Sequence, residues 1–374
     1  MARFRFLHSS DLHLGKRFGS FPEEVRGRLV EARHDALLRL AGTAANEGLG
    51  DILLAGDTFD TEMPSDRVRV QALHAMAGAE GVSWWILPGN HDSLRAEPLW
   101  DALRADAPPT VHVMDSEAPR DLAPGVSLLP APLRHRFLGA DLTAHMPRIV
   151  TPEGHLRIGL AHGPTSTFHE DGDAEAMIAP DRAKTAGLSY LALGDWHGRL
   201  EINDRTNYSG TPEFDRFRHD GRGACLLVSV EGGALPEVRR IDTGRFEWRS
   251  VRLALTPGLD AAAEARRHLP PADTRRDMLV RLRASGTLSL PARSAVEAAI
   301  ERAAPEFGHF ETDLSALITE ATADDLDAIA PSGALRATAD ALLDATRDST
   351  RPEPDRRTAA RALDRLWSLL LAQP

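Results

Sequence analysis

Phe6-Leu7-His8-Ser9-Ser10-Asp11-Leu12-His13-Leu14-Gly15 runs a short apolar stretch straight into an Asp-x-His pair, and four later segments follow the same plan. Asp51–Asp60 ends in Gly56-Asp57-Thr58-Phe59-Asp60, and Trp84–Asp92 ends in Pro88-Gly89-Asn90-His91-Asp92. Ile158–Gly163 ends in Ala161-His162-Gly163, and Tyr190–His197 ends in Gly194-Asp195-Trp196-His197. Each segment places a hard oxygen or imidazole donor directly after a buried strand, where a rigid sheet can fix it. Glycines at 56, 89 and 194 permit the sharp turns that aim these side chains inward.

Taken singly, these signals are weak: Asp60 can cap the helix that follows it, and Asn90 can serve its own turn. Five clusters in one order, each after an expected strand, point together to a single site. Carboxylate, imidazole and amide donors without thiolate suit Mn, Fe, Zn or Mg. Two such cations about 3.5–4 Å apart, bridged by a carboxylate and a hydroxide, hold a nucleophile and neutralise the charge that builds on a phosphoryl group during in-line displacement. Hydrolysis of a phosphate ester is the expected reaction.

Composition sets the bounds around that site. With 374 residues, 42% of them hydrophobic, the chain can bury a sizeable core, and a prior of roughly 150 residues per domain predicts two or three domains. No apolar run approaches the roughly 20 residues needed to cross a bilayer. The N-terminus enters a strand-like alternation at once and predicts no signal peptide. The single cysteine, Cys225, excludes an internal disulfide and a thiolate metal cluster, so a reducing cytoplasm is the expected location. A net charge of −11 argues against non-specific nucleic-acid binding through a basic surface, although two divalent cations would add about four positive charges where a phosphate sits.

Short apolar runs alternate with helical spacing through the first two-thirds of the chain. Strands are expected at Phe4–His8, Ile52–Ala55, Trp84–Leu87, Val111–Met114, Ser127–Leu129, Arg157–Ala161, Tyr190–Leu193 and Cys225–Val230, and helices at Glu23–Ala45, Asp66–Ala79 and Leu99–Ala105. This is an α/β pattern in which loops at the carboxyl ends of strands hold the ligand. Composition shifts near Leu255-Thr256-Pro257-Gly258, and a small α/β module is expected beyond it. The expected division is 1–253, 254–346 and 347–374, the last a polar linker over Asp348–Asp355 and a helix over Arg357–Leu371. That helix lines Ala359, Leu363, Leu366, Trp367 and Leu370 along one face, which either its own domain or a partner can cover.

These residues resemble the calcineurin-like metallophosphoesterases, whose pattern is Asp-x-His, Gly-Asp-x-x-(Asp/His), Gly-Asn-His-(Asp/Glu), a lone His, and Gly-His-x-His. Leu7–Gly15, Leu53–Asp60, Leu87–Asp92 and the later Tyr208-Ser209-Gly210-Thr211-Pro212-Glu213-Phe214-Asp215-Arg216-Phe217 look in particular like SbcD-type DNA repair exonucleases. The resemblance covers roughly residues 4–220, and beyond about 255 it is architectural. It implies a β-sandwich flanked by helices, a small α/β capping domain and C-terminal helices. It implies that Asp11, His13, Asp57 and His197 hold one divalent metal, and that Asp57, Asn90, His162 and Asp195 hold a second, with Mn the expected ion. His91 would sit over the phosphate as an acid, a role imidazole fills near neutral pH, and Asp60 would orient His91 or a water. It also implies DNA as substrate, an SbcC-like coiled-coil ATPase as partner, and a homodimer.

One position departs from the pattern. Gly194-Asp195-Trp196-His197 puts a carboxylate where the family has an imidazole, which weakens Lewis acidity at the second metal and favours a harder cation. The departure keeps two alternatives open: a small-molecule phosphodiesterase or phosphatase, and a weakly catalytic scaffold for an ATPase. Among the remaining candidates, His8 and His74 read as packed or solvated, and Arg134, His135 and Arg136 form a basic knot in an expected loop. Of Trp84, Trp85 and Trp196, the last is the better candidate to meet a base.

Overall fold

The computed structural model describes residues 3–135, 140–165 and 177–371, and these form two compact units, 1–247 and 248–374. The first unit is built on twelve strands: β1 (Arg3–Ser9), β2 (Asp51–Leu54), β3 (Ser83–Ile86), β4 (Val111–Val113), β5 (Arg120–Ala123), β6 (Val126–Ala131), β7 (Leu156–His162), β8 (Tyr190–Gly194), β9 (Leu200–Asn203), β10 (Thr206–Tyr208), β11 (Gly221–Glu231) and β12 (Glu237–Leu255), the last of which continues into the second unit. They form two sheets, ordered β12-β11-β1-β2-β3-β4 and β5-β6-β7-β8-β10-β9. Within the first, β1 to β4 run parallel; within the second, β6, β7, β8 and β10 do.

Strict alternation along each strand explains the layering. Phe6, Leu53, Trp85 and Val228 of one sheet meet Leu128, Ile158, Leu160 and Tyr190 of the other in a core between the sheets. The neighbouring positions Leu7, Ile52, Leu54, Trp84 and Ile86 turn the other way, toward three helices. These are α1 (Glu23–Glu47), α2 (Asp66–Ala77) and α3 (Glu97–Asp106), which bring Leu37, Leu40, Met76, Trp100 and Leu103 to that face. The outer face of the second sheet packs Leu129, Ala161, Leu191 and Leu193 against Met146, Ile178 and Ala183, the last from the single turn α4 (Arg182–Thr185). The architecture is the expected α/β sandwich with helices outside. Trp84 and Trp85 are both core, their indole N–H groups donating to the Met76 carbonyl and to Asp51 Oδ1. Cys225 is buried in β11, and burial pushes its thiol up to about 12.

The second unit orders the end of β12 with β13 (Met278–Ser289) and β14 (His309–Glu320), the last two parallel from Leu279↔His309 to Ser289↔Glu320. Helices α5 (Ala261–His268) and α6 (Leu290–Ala303) supply Ala265, Val296 and Ile300 to its core. Three more helices follow: α7 (Ala323–Ile329), α8 (Ala334–Arg347) and α9 (Glu353–Leu371). The polar linker is shorter than the composition indicates. Proline is tolerated in the first turn of a helix, where its missing N–H has no intrahelical partner, so Pro354 lies inside α9 instead of before it. The apolar face of α9 is covered within its own unit: Leu363 and Trp367 pack with Leu290, Leu326, Ile329 and Ala339. Among the described residues, no helix is long and apolar enough to cross a membrane.

Because Leu363 is 3% exposed in that cluster, Leu363→Ala is expected to destabilise the second unit by about 2–5 kcal/mol. Urea unfolding measures this. A loss below about 0.5 kcal/mol, the range of ordinary surface substitutions, would show that α9 is not seated there.

Candidate metal centre

Five strand ends of the first unit deliver the site. Asp11 and His13 follow β1, Asp57 and Asp60 follow β2, and Asn90, His91 and Asp92 follow β3. His162 is the last residue of β7, and Asp195 and His197 follow β8. Beyond their strands the first two loops stay in register, through Asp11 N to Gly56 O at 3.1 Å, His13 N to Asp57 O at 2.9 Å and Asp60 N to Leu14 O at 3.0 Å. The chain strains to turn these side chains inward: Asp11, His13, Asp57 and Asp195 have φ of 55°, 44°, 53° and 112°. Phe18 is the one other non-glycine residue recorded there among those described, so left-handed backbone concentrates at the site. Of the three glycines expected to turn, only Gly56 has a positive φ, 87°. Gly89 and Gly194 serve close approach instead, since a Cβ would stand 2.2 Å from Asp57 Oδ1 and 1.9 Å from the Ala55 carbonyl oxygen.

The side chains converge in three overlapping groups of donor atoms, each within 4.8 Å: Asp11, His13 and His197; Asp11, Asp57 and His162; and His13, Asp60 and His91. The outer nitrogens of the imidazoles fix how they point. His162 Nδ1 donates to the Ala55 carbonyl at 2.8 Å, and His197 Nδ1 lies 3.3 Å from Asp215 Oδ1. Both rings therefore present Nε2 to the centre. His13 has its Nδ1 3.2 Å from Asp60 Oδ1, outside hydrogen-bond geometry, and its Nε2 3.2 Å from His197 Nε2. Burial first, then the neighbouring His197, Arg33, His91 and Lys16, holds His13 well below the ordinary histidine range, so it is neutral. The two Nε2 atoms face each other across 3.2 Å, a contact whose donor depends on the tautomers. That is the separation of two ligands on one ion, since metal–nitrogen bonds are about 2.1 Å.

Asp57 lies between the groups. It is 2% exposed, 3.6 Å from both His13 Nε2 and His162 Nε2, and accepts from the His91 backbone N–H at 2.9 Å. Burial pushes its carboxyl well above the usual range, with Asp92 and Asp11 adding to the effect and His162 opposing it. The inward atom of the Asn90 amide stands 2.8 and 3.1 Å from the two Asp57 oxygens and 3.0 Å from His162 Nε2. An amide oxygen in that place needs positive charge among these atoms, from a metal ion or from the protonated His162, whereas the amide NH2 turned inward would serve Asp57 without either. The donor set thus fits divalent metal.

Asp195 reaches the cluster only at its edge. Its Oδ1 is 3.9 Å from His162 Nε2, its side chain is 30% exposed, and its backbone N–H lies 3.3 Å from both Asp11 oxygens. Asp60 meets His91 through its backbone: its carbonyl, not its carboxylate, accepts from His91 Nδ1 at 2.9 Å. The carboxylate faces His13 and, at 3.7 Å, Lys16. His8 is a packed histidine, bonded to the Tyr190 hydroxyl and the Leu193 carbonyl at 3.1 Å, with burial lowering its pKa to about 3. His74 is exposed, as are Arg134 and His135, while Arg136 lies outside the described residues.

Several supporting residues carry no role in the sequence reading. Asp92 accepts from the backbone N–H groups of Gly89 at 2.7 Å and Phe59 at 3.0 Å, locking the second and third loops together. Arg33, 1% exposed, donates to the carbonyls of Asp11, Leu12 and Glu213. Asp92 was visible in its motif, but Arg33 sits on an ordinary amphipathic helix and gave no signal. Asp215, in the Tyr208–Phe217 stretch, lies within 4.0 Å of His197, Arg33, Arg216 and Lys16. Burial works to raise its pKa, but the hydrogen bond from His197, then Arg33 and Arg216, outweighs it and holds the carboxyl far below the usual range.

The family model for the calcineurin-like phosphoesterases matches residues 4–175, and the sequence relatives extend the match. The SbcD component of the SbcCD nuclease of Escherichia coli K12 is 34% identical over 281 residues, covering 64% of this chain and 68% of that protein. The chain belongs to the calcineurin-like phosphoesterase family. An uncharacterized metallophosphoesterase of Bacillus subtilis, YhaO, is 27% identical over 242 residues. The DNA double-strand break repair protein Mre11 of Sulfurisphaera tokodaii is 24% identical over 264 residues. Those matches cover 61% and 65% of this chain but 58% and 63% of the relatives' own lengths, so the likeness is to part of each.

The charge of His162 yields a test. Burial works to lower its pKa, but Asp57, Asp11 and Asp195 together push it up to about 9. In metal-free protein this protonated histidine contributes stability in full below its ordinary value of 6.5, and the contribution is lost as pH rises through about 9. A cation must displace the same proton, so metal affinity is expected to climb with pH from about 7 to 9. Calorimetry in buffers of different ionisation enthalpy should find proton release on metal uptake at pH 7. No release, with a thermal midpoint of chelated protein flat from pH 6.5 to 9, would refute the assignment.

Proposed function

We propose that this phosphoesterase family member is a two-metal phosphodiesterase that cleaves DNA, with manganese as the working metal. The observation that carries the reading is the inward Nε2 set of His13, His162 and His197 around a buried, undercompensated Asp57. Asp11, His13, Asp57 and His197 would hold one cation, and Asp57, Asn90, His162 and Asp195 the other. Bound there, the pair would supply positive charge to the phosphoryl oxygens and activate a water for in-line attack.

The chain's own residues do the rest. Asp57 stands between the two donor groups and would tie both cations to one carboxylate. His91 has its Nδ1–H committed to the Asp60 carbonyl, which leaves Nε2 as the end that can protonate a leaving oxygen. The ring of His13 stands edge-on to it, with centroids 4.6 Å apart, and helps fix its plane. The DNA reading draws on the names of the Escherichia coli and Sulfurisphaera relatives. The former is named as one component of a larger nuclease, which supports a partner protein for this chain. We take that partner to be an SbcC-like ATPase acting on a homodimer.

Asp57→Ala is expected to abolish uptake of both cations and all hydrolysis, read by metal analysis of the purified protein; retention of two ions per chain would sink the bridging role. With Mn2+ added, wild-type protein should degrade labelled single-stranded DNA as well as bis-nitrophenyl phosphate. Cleavage of the small ester alone would make this a small-molecule phosphodiesterase, and activity unmoved by His91→Ala would favour a scaffold. Asp195→Asn should weaken the second cation by about tenfold or more and leave the first in place, since one charged oxygen ligand is lost. Two unchanged binding steps in a titration would remove Asp195 from the ligand set.

A further inference from the structure

The chain carries a net charge of −11, yet cations gather at the rim of the metal centre. Lys16 Nζ lies 2.9 Å from Asp215 Oδ2, and Arg216 holds the same carboxylate through Nε at 2.9 Å and Nη2 at 3.0 Å. Asp215 is itself bonded to His197, one of the proposed ligands, so both cations are fixed to the site's edge. Its carboxylate is buried while the Arg216 side chain that binds it is 51% exposed. Asp215 is shared by Lys16, Arg33 and Arg216, and Lys16 also stands 3.7 Å from Asp60 Oδ1.

Two residues further on, Arg218 is exposed, with its guanidinium carbon 4.4 Å from the centroid of the Trp196 ring. Trp196 stands in the chain between Asp195 and His197. Its ring packs partly on the apolar cluster of Leu193, Leu200 and Tyr208, with the His219 ring edge-on at 5.3 Å. Arg218 is therefore mounted on the residue that separates two proposed ligands. It makes no ion pair with any described carboxylate. A guanidinium held in place by an aromatic ring, and without a counter-charge among the described residues, loses little freedom when an anion arrives. A single phosphate in the metal centre has its charge met there and makes no use of Arg218. A strand, with phosphates on either side of the scissile one, does.

We propose that Lys16, Arg216 and Arg218 form a phosphate rim that holds the phosphates flanking the scissile bond, so that the site takes a polynucleotide strand in preference to an isolated ester. The inference rests on the phosphodiesterase reading of the centre. Trp196 is the positioning residue for Arg218.

Equilibrium binding of a fluorescein-labelled oligothymidylate, followed by anisotropy across a salt series with Ca2+ in the buffer, tests the rim apart from catalysis. Each strand phosphate neutralised contributes about 0.7 to the slope of log affinity against log salt. Arg218→Gln is expected to lower that slope by about 0.7, and Arg218→Lys to retain it. With Mn2+, the ratio of kcat/KM for the oligothymidylate to that for bis-nitrophenyl phosphate should fall about tenfold in Arg218→Gln, as a lost charged contact predicts. Trp196→Phe should keep the wild-type ratio and Trp196→Leu should lower it. An unchanged salt slope in Arg218→Gln, or no binding of the oligothymidylate by wild type, overturns the rim. A reduced slope with no strand cleavage by wild type leaves the rim standing and removes the nuclease reading instead.

Discussion

The centre is organised around one buried carboxylate, Asp57, whose charge is only partly answered. Four aspartates, 11, 57, 92 and 215, are each no more than 4% exposed at the same edge of the first unit. Burying a carboxylate is costly unless something answers it. Asp92 is answered by two backbone N–H groups, Asp215 by histidine, lysine and arginine, and Asp11 by the Ser10 hydroxyl at 2.5 Å and the Asp195 N–H. Asp57 has one backbone N–H and two histidines at 3.6 Å, and its carboxyl is pushed well up. Either a proton or a cation must settle there, and the imidazoles around it are turned to favour a cation.

The fold makes this arrangement affordable by keeping the cost local. Parallel strands β1, β2 and β3 end together, as do β7 and β8, and the core between the sheets fixes both sets with Phe6, Leu53, Trp85, Ile158 and Tyr190. Strained backbone at Asp11, His13, Asp57 and Asp195 is tolerated because it begins within a few residues of those anchored strands. Asp92 and Arg33 then join the loops by binding main-chain groups, so that the order of the loops does not depend on the ligand side chains themselves.

Strand-end donors are legible in a sequence because two periodicities meet there: the alternation of a strand stops, and a polar residue with a glycine beside it begins. That is why the five clusters and the α/β layering were readable from Phe6–Gly15 onward. Strands without an apolar run escape the same test. β5, β9 and β10 carry Arg120 and Asp121, Glu201 and Asn203, and Asn207 among their three or four residues, and β12 mixes exposed arginines with buried Phe246 and Trp248. Contacts to main-chain atoms are equally silent. Nothing in the amino-acid order says that His91 is held by a carbonyl rather than by the Asp60 carboxylate, or that Arg33 of α1 is fully buried against main-chain carbonyls.

Asp195 brings these strands of reasoning to one residue. Its φ of 112° and its N–H directed at Asp11 belong to the backbone frame, which any side chain at this position would have to share. A carboxylate there therefore alters charge while the frame can remain as it is. The change adds a negative group to a cluster that already holds Asp11 and Asp57, and it is one of the three carboxylates that raise His162. More negative charge attracts a cation while lowering its power to polarise a phosphate. The structure relieves part of that tension through exposure: the Asp195 side chain is 30% open to solvent, so its charge is screened more than that of buried Asp57. The departure from the family pattern thus falls at a partly solvated corner of the centre, where an extra charge is easier to carry than at buried Asp57 and a hard, oxygen-preferring ion easier to admit.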